Sequence, residues 1–183
     1  MLRTTIYFLL GISLCTCAPA QRNAQAEVAL YDYDVEERLR ELDIDPPAPS
    51  APIANYVNAV RAGNLLFLAG KGPQTEAGYV TGKVGADLSV EEGYAAARLV
   101  GITQLGVLRQ ELGDLNRVVR IVKVTGMVNA TGDFTQHPEV INGFSDLMVE
   151  VFGERGKHAR AAVGMGSLPR NMACEIELVV EVR

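Results

Sequence analysis

Arg160 and Glu175 are the two residues of this chain whose types and spacing suggest chemistry. Arg160 opens the short, small-residue apolar segment Ala159–Met165, and Gly164, Gly166, Ser167 and Pro169 then supply turn residues. Glu175 stands near the start of Cys174–Val182. There Cys174, Ile176, Leu178, Val180 and Val182 alternate with Glu175, Glu177, Val179 and Glu181, the period of a strand. The spacing predicts two strands joined by a turn short enough to make Arg160 and Glu175 neighbours. A fixed guanidinium beside a carboxylate would hold a substrate carboxylate and activate a water. The same spacing also fits a structural ion pair at a sheet end.

Other chemistries find little support. His137 and His158 are the only histidines and form neither an H-E-x-x-H pair nor a ligand cluster, so no metal site is expected. No G-x-S-x-G elbow is present, and Ser89, Ser145 and Ser167 each fit a helical or turn position. The run from Gly78 to Lys83 is one residue short of a phosphate-binding loop, lacks its Ser/Thr and precedes Val84. The glycine-rich stretch 70–85 fits a surface loop, or one that meets a ligand through its backbone. Cys174 falls on the apolar face of its strand, a core position. Asn142 is a poor helix former inside a helical pattern, of interest as a polar group at a subunit seam.

The elements that must position these residues are legible in order. Residues 56–60 and 65–68 flank Arg61-Ala62-Gly63-Asn64 as a hairpin. Ser89-Val-Glu-Glu92 is a capping-box pattern opening a long helix that Gly113 ends. Residues 117–128 form a strand apolar on both faces, and a second helix starts near Pro138 and runs to Gly153. The order β-β-α-β-α-β-β predicts an α+β fold with two helices on one face of a mixed sheet. The other face needs a partner, so an oligomer is expected.

The formal net charge of −5 is unevenly placed. Residues 27–45 hold eight acids against Arg38 and Arg40, whereas residues 46–183 are near neutral, without the basic footprint that nucleic-acid binding requires. Arg3, the apolar run 6–14 and Ala18-Pro19-Ala20 form an export signal too short to span a bilayer, with Ala24-Gln25-Ala26 as a second cleavage candidate. Cys17 offers a lipid-anchoring alternative, preceded by an unfavourable Thr16. The expected organisation is a signal peptide at 1–20, then a linker, short acidic helix (34–42) and Pro-rich lead-in at 21–52, then one domain at 53–183.

Several blocks in order give a resemblance. They are Asn55-Tyr56-Val57, Gly63-Asn64-Leu65, Ala69-Gly70-Lys71-Gly72-Pro73, Gly113-Asp114-Leu115, Val140-Ile141-Asn142-Gly143, Val151-Phe152-Gly153, His158-Ala159-Arg160 with Leu168-Pro169, and Glu175-Ile176-Glu177. Over residues 55–183 the chain resembles the RidA/YjgF family, the reactive-intermediate (enamine/imine) deaminases with a chorismate-mutase-like fold. The lead-in at 34–52 looks like that of a less characterised branch. The resemblance implies a homotrimer with three intersubunit clefts. In each, Arg160 would clamp a substrate carboxylate, and Glu175 would position the water that attacks the imine carbon. Tyr56 and Asn142 would line the cleft, and the loop at Gly70 and Lys71 would supply backbone groups and a charge. No cofactor is implied. The family loop usually reads Ser-Gly-Gln where this chain has Ala69-Gly70-Lys71, and Ala161 follows the arginine where Ser or Cys is common; these changes leave the substrate open. The reading is an exported deaminase of small 2-imino or enamino acids. The alternative is a non-catalytic trimeric module binding small carboxylates, and an endoribonuclease is the least supported because the domain is near neutral.

Overall fold

A computed structural model describes residues 30–52 and 54–183. The leader at 1–20, its cleavage positions Ala20 and Ala26, and Cys17 lie outside the described residues. Strands β1 (Ala59–Ala62) and β2 (Leu65–Lys71) pair antiparallel as the expected hairpin, and Gly63 takes φ 62° in its turn. The glycine-rich stretch that follows is a small ribbon of β3 (Gln74–Thr75) and β4 (Gly78–Tyr79). Helix α2 (Val90–Leu112) begins with the reciprocal cap that its sequence encodes. Ser89 Oγ accepts from the Glu92 amide at 3.1 Å, and Glu92 Oε2 accepts from the Ser89 amide at 2.8 Å. Gly113 closes the helix at φ 73°.

Strand β5 (Val118–Asn129) leads into helix α3 (His137–Phe152), which carries the chain back to β6 (Ala159–Met165), parallel to β5. Strand β7 (Cys174–Val182) then inserts between β2 and β5, antiparallel to both, giving the order β1-β2-β7-β5-β6. The architecture is the α+β fold expected, a mixed sheet with α2 and α3 packed side by side on one face.

Alternation decides which side chains meet the helices. Ile121, Val124 and Val128 of β5, with Ile176, Leu178 and Val180 of β7, are buried under α2 and α3. The opposite face carries Met127, Thr125 and Lys123 and has no helix over it among the described residues. Phe67 and Val60 on that face are 45% and 56% exposed. The two-faced apolar character of β5 thus corresponds to one covered and one open face within the chain.

The acidic lead-in docks on its own chain. In α1 (Val35–Glu41), capped by Asp34 Oδ1, Val35 and Leu39 are buried in the common core. Tyr31 and Tyr33 donate their hydroxyls to the carbonyls of Val118 and Val151 at 2.6 and 2.9 Å, and Glu36 pairs with Arg109 at 2.8 Å. Beyond it, the Pro47 carbonyl sits so close to Gly106 of α2 that a Cβ there would collide with it.

Candidate active site

Tyr56, Gly70, Lys71 and Glu175 line one cleft of about 210 Å³, together with Tyr79 and Arg170. Its floor is made by an irregularity in the β2–β7 pairing, between the Leu68–Leu178 and Lys71–Ile176 partners. Gln104, fully buried on α2, holds this irregularity by donating both amide hydrogens, to the carbonyls of Ala69 (3.0 Å) and Ile176 (2.9 Å). Gly70 therefore turns its bare Cα toward Glu175. A Cβ at that position would overlap the carboxylate, so only glycine lets this acid lie against the β2 backbone.

Glu175 is half-buried on the open face of the sheet. Burial, with the Glu177 carboxylate two residues on, pushes its pKa above the ordinary carboxylate range. A carboxylate so placed is a better proton acceptor than a free one. Lys71 Nζ is directed to Asn58 Oδ1 at 2.6 Å, and burial pushes its pKa down.

Arg160 and Asn142 belong to a second cluster. Arg160 Nη1 donates to Asn142 Oδ1 at 2.9 Å and to Ser145 Oγ at 3.0 Å, both on α3. The carbonyl of Gly156 can only accept, so His158 Nδ1, 2.7 Å away, carries the proton. Burial holds the imidazole below its ordinary pKa, so at neutral pH Nε2 is a lone-pair acceptor for the Ser145 hydroxyl at 3.1 Å. The chain Gly156–His158–Ser145–Arg160 thus fixes the guanidinium with neutral acceptors and leaves its charge uncompensated. No carboxylate pairs with Arg160 among the described residues.

The expectation that Arg160 and Glu175 are neighbours is not met within the chain. Strand β5 lies between them: Arg160 is opposite Val124, and Glu175 is opposite Met127. Two strand spacings and three residues of offset separate them by about 10 Å in each direction. The register also puts them on opposite faces, because Val124 faces the helices and Met127 the open side. The segments at 159–165 and 174–182 are strands as read, but not a hairpin, since β7 crosses over to join β2. An intrachain Arg160–Glu175 ion pair is excluded with it. The candidate residues fall into two separate clusters, Tyr56, Gly70, Lys71 and Glu175 in one, and Arg160 and Asn142 in the other.

Sequence reasoning missed Ser145, His158, Gln104, Tyr79 and Arg170. Ser145 lies three residues after Asn142, on the same side of a helix, and His158 two residues before Arg160, on the same side of a strand; both periodicities could have flagged them. Nothing in the local sequence marks Gln104, whose role depends on a strand irregularity. Cys174 is buried, its thiol pushed up to about 12 by burial, an inert core group. Among the described residues no His, Cys, Asp or Glu cluster could hold a metal ion, and no helix is long and apolar enough to cross a membrane.

A five-stranded mixed sheet with two helices on one face and this order of strands defines the chorismate-mutase-like α+β class. The family model described as "YjgF/chorismate_mutase-like, putative endoribonuclease" matches residues 36–182. The chain belongs to this YjgF/RidA family. It is 43% identical over 150 residues to protein TCP17 of Trypanosoma cruzi, covering 81% of this chain and 94% of that one. The crystal structure of Atu1372 from Agrobacterium tumefaciens, a protein of unknown function, superposes with TM-score 0.76 at 41% identity, covering 81% of this chain and 92% of that one. An endoribonuclease-like protein of Shewanella oneidensis, qualified as putative, gives TM-score 0.79 at 32% identity and coverage of 82% and 100%. The match begins within α1, in keeping with the burial of Val35 and Leu39 in the common core.

Proposed function

We propose that the protein is an exported homotrimeric hydrolase that converts small 2-imino or enamino acids to 2-oxo acids and ammonia, each site being completed by two subunits. The observation that carries this reading is the Arg160 guanidinium, held in place by neutral acceptors and left without an anion among the described residues. Such a group suits a substrate carboxylate, which it can hold through two parallel hydrogen bonds. Family membership supports it, and so does the separation of the half-sites. The open sheet face and the β6 edge carry different halves, so a head-to-tail ring of copies would bring Arg160 of one subunit to Glu175 of the next. The exposed Val60, Phe67 and Val163 would be covered in that ring.

In the reaction, Glu175 takes a proton from water as the water oxygen bonds to the imine carbon and the C=N π electrons move to nitrogen. The tetrahedral carbinolamine then receives the proton from Glu175 on nitrogen. Glu175 then carries the hydroxyl proton to nitrogen as the C–N bond breaks, so that ammonia leaves and the C–O bond becomes the 2-oxo carbonyl. Positioning and one acid/base group suffice because the imine is already activated.

The test uses protein starting at Gln21 and 2-iminobutyrate generated in situ, with ammonia release measured above the spontaneous rate. The expected result is acceleration that Arg160→Ala and Glu175→Gln both abolish. A folded trimer that accelerates no imino acid would instead support a carboxylate-binding module. The leader is tested separately: export predicts a mature N-terminus at residue 21 or 27, read by mass spectrometry.

A further inference from the structure

We infer that the Glu175 cleft is built for a substrate with a second acidic group, a 2-imino or enamino dicarboxylate, recognised by Lys71 and Arg170. This rests on the deaminase reading, in which Arg160 of a neighbouring copy holds the carboxylate next to the imine. That arrangement leaves two further cations on the wall of the same cleft, brought there by different elements. Lys71 lies at the end of β2 and Arg170 in the turn that precedes β7.

Neither cation has an anionic partner among the described residues. The single hydrogen bond of the half-buried Lys71 goes to the neutral amide of Asn58, and Asn58 is itself buried and held by the Ser50 carbonyl at 3.2 Å. A desolvated ammonium with one neutral acceptor has donor capacity to spare. Arg170 takes φ 55°, a left-handed conformation that non-glycine residues rarely adopt. The turn is pinned in it by Asn171, at φ 55° as well, whose Oδ1 accepts from Asn129 at 2.9 Å. The exposed guanidinium lies 5.4 Å from the centre of the Tyr79 ring, another residue of the cleft wall, instead of extending into solvent.

The cleft therefore carries two cations against one carboxylate, Glu175, whose burial already disfavours its charge. A second substrate carboxylate would balance the excess, while a neutral aliphatic side chain would leave the half-buried Lys71 ammonium and the Arg170 guanidinium without an anion. The volume of about 210 Å³ restricts the occupant to a small molecule.

The experiment compares 2-iminoglutarate with 2-iminopentanoate, which has the same chain length and lacks the terminal carboxylate, each generated in situ by an amino-acid oxidase. The expected kcat/KM ratio favours the dicarboxylate by about tenfold. Lys71→Gln and Arg170→Gln each lower that ratio severalfold, and added salt lowers it further. Calorimetric titration with 2-oxoglutarate and 2-oxopentanoate gives a second readout independent of turnover, with the same order of preference and the same loss in both variants. Equal kcat/KM for the two imines, or a ratio unchanged in both variants, overturns the inference while leaving the deaminase reading intact. Turnover of neither imine, nor of 2-iminobutyrate, refutes the deaminase reading. The titration then decides alone: preferential 2-oxoglutarate binding lost in the variants upholds a dicarboxylate site, and equal binding rejects it.

Discussion

If Arg160 and Glu175 act on one substrate from different subunits, two inactive variants must rescue one another. Alone, Arg160→Ala removes a charged anchor, at about 2–5 kcal/mol for an otherwise unpaired buried partner. Alone, Glu175→Gln removes the acid/base group, a loss of about 10²–10⁴ in rate. Each homotrimer should retain no more than about 3% of wild-type activity. In a trimer of mixed composition, a cleft is intact when its Arg160 comes from a Glu175→Gln chain and its Glu175 from an Arg160→Ala chain. Every ring that contains both chains has one such cleft in about three, so the doubly purified heterotrimers should recover about a third of wild-type kcat. The assay is ammonia release by the two chains coexpressed with different affinity tags, purified through both and checked by native mass spectrometry. The register forbids an intrachain pair, because β5 and a change of face intervene between Arg160 and Glu175. Heterotrimers no more active than the mean of the parents would refute the composite site.

Three other perturbations test the local physics. Glu177 helps raise the Glu175 pKa, so Glu177→Gln should move the acid limb of kcat/KM to lower pH; the deprotonated base would then persist further into acid, and an unmoved limb would mean that another group titrates. Ser145→Ala takes away one of the two acceptors on Arg160 and the link to His158, so KM should rise about tenfold with kcat less affected, measured by steady-state kinetics. Gln104→Leu takes one donor from each of the Ala69 and Ile176 carbonyls beneath the cleft, and should lower stability to urea by about 2–4 kcal/mol, read from the unfolding midpoint at constant m.

The sequence carried the fold wherever a local pattern had a local cause. The Ser89–Glu92 cap, the Gly63 turn, the alternation of β7 and the apolar run of β5 each encode an element through its own residues, and all four are present. The Arg160–Glu175 neighbourhood failed because it depended on which strands pair, and the turn between two strands does not specify that. The chain after β6 has two apolar strands available as partners, and burial of Ile176, Leu178 and Val180 under α2 is satisfied by insertion between β2 and β5. The acidic stretch was legible as a short helix, but the surface it docks on was not. Its charges lie on the outside of α1, while Val35 and Leu39, only two residues in a short helix, do the docking. The same distinction explains the site. Gly70 and Glu175 come together through a strand irregularity held by a buried glutamine on another element, a long-range contact with no local signature. The anchoring of Arg160, by contrast, repeats at three residues on α3 and at two on β6, which makes Ser145 and His158 the site residues that local spacing comes nearest to revealing.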